Sequence, residues 1–223
     1  MTKGTPIEEL KSRVLGAWKE KAKEKGTPLV KDFDGLFWSD FTSLFDDQWL
    51  KVSVIDFFIM KTAPQADPSV LCLTIVETQE IQRQKTMALL QRPKRSEMKR
   101  IKKILFPIFD NDHYYLISVD LMSHTVEVYD GLKRSKTLPS QATLASRYAK
   151  LVAPRAKDFT GTIVNTPNQK DAFNCGVHLL AAYFQRALPT TKASWTSRHM
   201  PFLRLDLLTE FVQFQTDRRE EVL

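Results

Sequence analysis

The sequence is poor in cysteine, glycine and long apolar runs, and each shortage excludes a class of protein. Its 2 cysteines, Cys72 and Cys175, lie far apart among 223 residues, so neither a disulfide framework nor a zinc ribbon is indicated. The 7 glycines and 11 prolines exclude a fibrous or low-complexity chain. No apolar run approaches the length of a membrane span, and the N-terminus lacks the basic-then-apolar pattern of a signal peptide. We therefore expect a monomer of the nucleus or cytoplasm, or an effector delivered there, without membrane contact, metal or other cofactor.

Positive charge is in excess, and part of it is clustered. The formal net charge is +7. From Arg92 to Lys103 the chain reads R-P-K-R-S-E-M-K-R-I-K-K, with seven basic residues and one acid. This run is either a solvated helix face or a patch that attracts an acidic partner, and nuclear import or nucleic acid binding are weaker interpretations.

The length fits one globular domain, and the pattern of elements predicts the α+β class. We predict a domain at 46–223 behind an N-terminal extension, 1–45, in which residues 7–25 form an amphipathic helix that either packs on the domain or stands apart. Apolar periodicity and turn residues predict these further elements: a helix at 48–61 capped by Asp46 or Asp47, with Trp49 in its first turn; a buried strand or core element at 69–76; a helix at 78–92; an antiparallel meander of strands at 105–109, 114–119 and 125–129; a helix at 140–152; a strand at 160–164; and a closing helix at 201–216.

The stretch from Asn165 to Phe184 changes from loop to helix at Cys175. The turn-forming residues before the cysteine give way to apolar residues at helical spacing, which places the thiol at a helix N-terminus. Unpaired backbone N–H groups and the helix dipole favour a thiolate there. The alternative is a small, buried, unreactive side chain.

Cysteine acyl transfer requires a base, a group that orients the base and donors for an oxyanion. His113 starts one strand of the meander and Asp130 ends the next, so antiparallel pairing makes them neighbours. Gln169 lies six residues before Cys175, in the loop that leads to it. Its amide is therefore a candidate oxyanion donor beside the backbone N–H of Cys175.

These residues, in this order, resemble a known family. The segments H-Y-Y-L-I-S-V-D, Y-D-G-L and P-N-Q-K-D-A-F-N-C-G-V are similar to the ubiquitin-like protein proteases, which comprise the SUMO (sentrin)-specific peptidases and their adenain-type relatives. W-L-K-V-S-V-I-D-F-F, at 49–58, is similar to the W-L-N-D helix start of that family. The resemblance covers residue 46 to the C-terminus. It implies a papain-like or adenain-like fold, with a central mixed or antiparallel sheet flanked by helices and the cysteine at a helix N-terminus.

The resemblance also implies roles for individual residues. Cys175 would be the nucleophile, His113 the general base and then acid, Asp130 the residue that orients the imidazole, and Gln169 the oxyanion donor. The implied substrate-binding residues are Trp49 and Tyr114, which would flank a tunnel for a Gly-Gly tail, together with Asn174 and Gly176 beside the thiol. The reaction would be cleavage after the C-terminal glycine of a modifier such as SUMO, by isopeptide deconjugation, by precursor processing or by both.

The chain departs from the family pattern at four positions. Asn174 stands where the family has the aspartate of D-C-G, and Tyr114 replaces the usual tryptophan after the histidine. Lys51 and Val52 stand where N-D is common. An amide at position 174 keeps hydrogen bonds and loses a charge.

Each residue also has an interpretation that needs no catalysis. His113 could be a turn histidine bonded to Asp110 or Asp112. Asp130 could belong to an ordinary strand-ending turn, and Trp49 could be a core aromatic. The joint spacing of the four predicted catalytic residues favours the catalytic interpretation.

Two other functions stay open. The first is a module that binds a ubiquitin-like modifier with weak or no catalysis, which Asn174 motivates. The second is an effector-type acetyltransferase; relatives of that kind usually have glutamate at the position of Asp130, which argues against it. His178 forms C-x-x-H with Cys175, and without two further ligands this spacing does not indicate zinc.

Overall fold

The computed structural model describes residues 36–45, 48–84, 99–132, 159–188 and 195–220, together with single residues at 12, 16, 143, 146 and 150. The helices of this part of the chain are α1 Trp38–Phe41, α2 Val52–Thr62, α3 Ile75–Gln84, α4 Cys175–Ala187 and α5 Met200–Glu220. Short 3-10 turns occupy Thr42–Leu44, Ala63–Gln65 and Ser197–His199. The strands are β1 Val70–Cys72, β2 Lys103–Asp110, β3 His113–Asp120, β4 Thr125–Tyr129 and β5 Thr160–Ile163.

The strands form one mixed sheet in the order β1-β2-β3-β4-β5. The central strands β2, β3 and β4 pair antiparallel, while β1 and β5 pair in parallel with β2 and β4. Asn111 and Asp112 connect β2 to β3 with positive φ angles of 48° and 55°. A two-residue hairpin needs this left-handed backbone, which asparagine and aspartate tolerate. The predicted meander and the α+β class are confirmed.

Both faces of the central strands β2 and β3 are buried, which explains why these strands read as nearly continuous apolar runs, whereas the edge strand β5 is exposed. Alternate side chains of β2, such as Leu105 and Phe106, enter different clusters of the core. The cluster containing Leu105 also contains the apolar faces of α2, α4 and α5. The helix that starts at Cys175 therefore packs directly on the central strands.

The start of α2 differs from the prediction. The helix begins at Val52, with Lys51 at the N-cap and no side-chain cap among the residues described there. Trp49 lies in the extended segment before the helix and not in its first turn. Leu50, in the same segment, is 1 % exposed. Burial of this leucine keeps the segment extended and delays the helix, so the prediction of a helix from residue 48 was wrong.

The start of α3 also differs, because the predicted core element at 69–76 contains a strand followed by the first turn of the helix. Thr74 and Glu77 form a reciprocal capping box, with backbone N–H donation to Glu77 Oε2 at 2.8 Å and to Thr74 Oγ1 at 3.1 Å. Asp56, on α2, accepts the backbone N–H groups of Ile75 and Val76 at 2.7 and 3.2 Å. Three acceptors therefore fix this helix start.

Several predictions concern residues outside the described ranges. They are the helix at 7–25, the cap at Asp46 or Asp47, residues 85–92 of the helix predicted at 78–92, most of the helix at 140–152, and the first half of the basic run. The domain boundary after residue 45 stays a prediction; Leu36, Phe41 and Leu44, which precede it, are buried in the same core as α2 and α4.

Candidate active site

Cys175 is the first residue of α4 and is 2 % exposed. The loop that precedes Cys175 is hydrogen-bonded to the residues that directly follow β4. The backbone N–H of Gln169 donates to Gly131 O at 2.7 Å, and Thr166 Oγ1 donates to Asp130 O at 2.9 Å. A backbone N–H in the first turn of a helix has no intrahelical acceptor, so the N–H of Cys175 is positioned to serve an external oxygen.

His113 and Asp130 form a buried pair at the end of the sheet where β3 begins and β4 ends. The distance from His113 Nε2 to Asp130 Oδ1 is 2.7 Å, and the residues are 2 % and 1 % exposed. The same carboxylate oxygen accepts the backbone N–H of Leu132 at 2.9 Å. Asp130 is therefore held in place by the backbone while it orients the imidazole. The alternative partners, Asp110 and Asp112, do not take this role.

The Cys175 thiol is close enough to the imidazole to affect its protonation. Burial opposes a positive charge on His113, but the hydrogen bond to Asp130 and the proximity of two acidic groups, Asp130 and Cys175, raise its pKa to about 9. Since Nε2 faces Asp130, Nδ1 is the nitrogen left for the thiol. Nδ1 is buried and forms no hydrogen bond of standard geometry within the described residues. An unoccupied imidazole nitrogen near a thiol is the arrangement that a base needs to accept the thiol proton.

Gln169 is buried in the loop before the cysteine, and its amide points to Asp171. Gln169 Nε2 donates to Asp171 O at 2.7 Å and approaches Asp171 Oδ1 at 3.4 Å. Both contacts are to oxygen, which fixes the orientation of the amide. The shorter bond holds the side chain, and the longer one is weak enough to be exchanged for an oxygen of a substrate. A role as oxyanion donor stays a prediction.

Asn174 is 5 % exposed and lies between two charged groups. Asn174 Nδ2 donates to Asp171 Oδ2 at 2.9 Å, while Asn174 Oδ1 accepts from Arg204 Nε at 2.7 Å. Asp171 Oδ1 also accepts the backbone N–H groups of Asn174 and Phe173, at 2.8 and 3.1 Å. Burial opposes ionisation of Asp171, but these hydrogen bonds hold its pKa below the usual range. The amide at position 174 thus bridges a carboxylate and a guanidinium.

Arg204 comes from α5 and is 6 % exposed. Besides Asn174, its guanidinium donates to three backbone carbonyl oxygens: Ser43 O at 2.7 Å, Gln48 O at 2.5 Å and Phe173 O at 3.3 Å. It therefore joins the loop before Cys175 to the segment that carries Trp49.

The predicted substrate-binding aromatics occupy different environments. Trp49 is 41 % exposed, whereas Tyr114 is 4 % exposed and its ring centroid lies 4.5 Å from that of Phe109. Burial and the nearby Cys175 raise the pKa of Tyr114. Trp49 is thus accessible, whereas Tyr114 is buried close to the thiol.

Gly176 permits a close approach of two elements. A Cβ atom at this position would lie 3.0 Å from Leu50 Cβ and 3.1 Å from Ile55 Cδ1. The absence of a side chain lets α2 and the Trp49 segment reach the start of α4. Contact of Gly176 with a substrate stays a prediction.

His178 is a neutral, buried histidine beside the site. It is 4 % exposed, its Nδ1 accepts Trp195 Nε1–H at 3.3 Å, and burial lowers its pKa to about 4. Within the described ranges, the structure contains no group of three or more potential metal ligands, and it contains no helix long and apolar enough to cross a membrane.

Sequence reasoning missed Asp171 and Arg204. One signal for Arg204 was present, since Met200, Leu207, Leu208 and Phe211 make an apolar stripe on α5 and Arg204 falls within it. A charge within a buried stripe indicates a buried partner, although not which one.

Comparison with known proteins agrees with this geometry. The model of the Ulp1 protease family, C-terminal catalytic domain, matches residues 48–211. A search of curated proteins finds no match. Among solved structures, the C-terminal Ulp1 protease domain in complex with Smt3, the yeast ortholog of SUMO, matches at 20% identity with a TM-score of 0.71, covering 92% of this chain and 96% of that chain.

A second similar structure is the catalytic domain of the Chaetomium thermophilum Ulp1-like SUMO protease, with a TM-score of 0.60 at 18% identity, covering 93% of this chain and 89% of that chain. At this identity the likeness establishes the fold alone, while the family match covers most of the chain. The chain belongs to the Ulp1 protease family and is a cysteine peptidase that acts on ubiquitin-like proteins.

Proposed function

We propose that this protein cleaves after the C-terminal Gly-Gly of SUMO or a closely related modifier, with Cys175, His113 and Asp130 as catalytic triad. The observation that carries the proposal is the buried His113–Asp130 pair, 2.7 Å apart, with Cys175, the first residue of α4, close enough to affect the protonation of the imidazole. This combination supplies a nucleophile, a base and an orienting carboxylate in one place.

The chemistry follows from the protonation of His113. The imidazole takes the thiol proton, and the sulfur of Cys175 attacks the carbonyl carbon of the terminal glycine. The backbone N–H of Cys175 and the amide of Gln169 donate to the resulting oxyanion. His113 then gives its proton to the departing lysine amine, or to the departing peptide amine in a precursor, which leaves a thioester on sulfur. A water molecule, deprotonated by His113, hydrolyses the thioester and releases the modifier carboxylate.

The selection of glycine follows from the surroundings of the thiol. Tyr114 is buried near Cys175, and Leu50 packs against Gly176, so we expect little room for side chains on the substrate residues next to the scissile bond. Trp49 precedes Leu50 in the chain and is exposed, and it is the expected cover of the bound tail. A substrate with two terminal glycines fits this restriction.

SUMO is the modifier that the similar structures favour, because one of them is a complex with the yeast ortholog of SUMO and the other is described as a SUMO protease. The test is labelling by a panel of modifiers that carry an electrophile at the C-terminus, with SUMO and ubiquitin as the essential members. We expect the SUMO probe to form a covalent adduct with Cys175. Cys175→Ser should abolish the adduct, whereas Cys72→Ser, a change at the other buried free thiol, should leave it intact.

Each other outcome contradicts a stated part of the proposal. Labelling by the ubiquitin probe alone would show that SUMO is the wrong modifier. Tight binding of SUMO without labelling or cleavage would show a binding module. An adduct that persists in Cys175→Ser would show that Cys175 is not the nucleophile.

A further inference from the structure

We propose that Arg204, Asp171 and Asn174 form a hydrogen-bonded network and are positioning residues of this site. Residue 174 is an amide because Asp171 already supplies the carboxylate of this network. This inference rests on the proposed function for its consequence in catalysis, and on the hydrogen bonds alone for its geometry. None of the three residues needs to touch the reacting atoms.

Asn174 fits its two neighbours at both ends of its amide. Its N–H₂ group faces the Asp171 carboxylate at 2.9 Å, and its carbonyl oxygen faces the Arg204 guanidinium at 2.7 Å. Among small side chains, only an amide offers a donor at one end and an acceptor at the other. An aspartate at 174 would place two carboxylates in contact, and one of them would have to move or bind a proton.

The departure from the family pattern changes the position of a carboxylate in the loop before Cys175. The family has its carboxylate immediately before the cysteine, and this chain has a carboxylate three residues earlier, at Asp171. The opposite arrangement, with an amide at position 171 and a carboxylate at position 174, would keep the hydrogen bonds within the network. The amide oxygen at position 171 would accept the two backbone N–H groups, and its N–H₂ group would donate to the carboxylate at position 174. That carboxylate would in turn accept from Arg204, so the two residues act as an exchangeable pair.

The Arg204 side chain bonds to two separate segments of the chain. Its bonds to Ser43 O and Gln48 O hold the segment before Trp49, while its bonds to Asn174 Oδ1 and Phe173 O hold the segment before Cys175. The two segments would form opposite sides of the path for the substrate tail. A planar guanidinium makes these four contacts with fixed geometry, and a lysine ammonium does not.

The test is a set of four variants: N174D, D171N, the exchange D171N/N174D, and R204K. The first readout is the rate at which iodoacetamide alkylates Cys175, followed by mass spectrometry of the Cys175 peptide. The second is kcat/KM for SUMO cleavage. We expect at least a tenfold fall in both quantities for each single variant, and recovery to within about threefold of the native values in the exchange. For R204K we also expect KM to rise, because the Trp49 side of the path moves.

The matched control is R198K, a change at an exposed arginine close to the start of the same helix, which should alter neither rate. If N174D or D171N fails to fold, the exchange decides the question, since only an interchangeable pair restores both the fold and the rate. Native rates in N174D or R204K would overturn the inference. So would an exchange that is as impaired as the two single variants combined.

Alkylation by iodoacetamide needs no modifier, which separates the two proposals. If the native protein cleaves no SUMO but the variants follow the expected order in alkylation, the proposed substrate fails and the positioning network stands. If SUMO is cleaved but the order is absent, the network fails and the proposed function stands.

Discussion

Asp130→Asn should change the protonation of His113 more than any other single substitution in the site. Folding raises the pKa of His113 from 6.5 to about 9, against the effect of burial, and the hydrogen bond that His113 donates to Asp130 is the largest of the effects that raise it. An opposite charge in contact with a titrating group shifts its pKa by roughly 1–3 units. We therefore expect the midpoint in the variant to fall by about 2 pH units, toward the ordinary value.

The assay is a titration of the histidine ring Cε1–H signals by NMR, which is practical because the sequence has 4 histidines. Cys175→Ala is the control, since it removes the contribution of the thiol and keeps that of Asp130. A native His113 that titrates near 6.5, or a midpoint that Asp130→Asn leaves unchanged, would refute the reasoning. A histidine whose pKa is raised by folding stabilises the protein below the unfolded value of 6.5, and this stability is lost as the pH rises through about 9. The native protein should therefore lose stability across this window, and the variant should lose much less.

Three further predictions concern stability and encounter with the substrate. Burial raises the pKa of Asp56 from 3.8 to about 7, so the ionisation of Asp56 should remove about 4 kcal/mol of unfolding free energy between pH 4 and 7. Since the lowered pKa of His178 acts in the opposite direction over this window, the measured quantity is the difference between the native protein and Asp56→Asn in urea unfolding; parallel curves would contradict the prediction. Gly176→Ala should cost about 1–3 kcal/mol and slow alkylation of Cys175, because the new methyl group meets Leu50; an unchanged melting temperature would show that the site can relax. Reversal of the exposed Lys99 and Arg100 to glutamate should slow cleavage at low salt and not at high salt, and equal rates at both would mean that these charges do not steer the substrate.

The sequence predicted the centre of the sheet and the proximity of His113 to Asp130 because both depend on local rules. The Asn-Asp hairpin and the apolar runs set the register of β2 with β3. The antiparallel pairing of β3 with β4, in which Leu116 lies opposite Tyr129, brings the start of β3 near the end of β4. His113 and Asp130 follow as neighbours. The thiol was also placed correctly, since the change from turn residues to helix formers at Cys175 is a local signal.

The errors arose where distant packing or overlapping signals decided the structure. Leu50 packs against Gly176, 126 residues later in the sequence, and no local pattern near residue 50 reveals this contact. The start of α3 was missed although Thr74 and Glu77 form the T-x-x-E pattern of a capping box, because the apolar residues before it resemble a longer strand. At residue 50, the local preference for helix disagreed with the tertiary contact. At residues 74–77, the signal for a helix start competed with the signal for a longer strand.

The partners of Arg204 could not be predicted from the sequence, because they are also distant along the chain. Its partners lie 30 residues away at Asn174 and 161 residues away at Ser43. The stripe on α5 indicated burial of a charge without identifying the oxygens that receive it. Only the assembled fold shows that the closing helix takes part in the site.

The bonds of Arg204 also set an order of events during synthesis. The β-hairpins that carry His113 and Asp130 leave the ribosome first, the Cys175 loop follows, and α5 emerges after both. Domains generally complete their folding once all of their long-range contacts can form. A nascent chain that ends before Arg204 therefore has all of its proposed reactive groups. It lacks the Arg204 hydrogen bonds that join the loop before Cys175 to the Trp49 segment, so proteolytic activity should appear only when α5 packs on the domain.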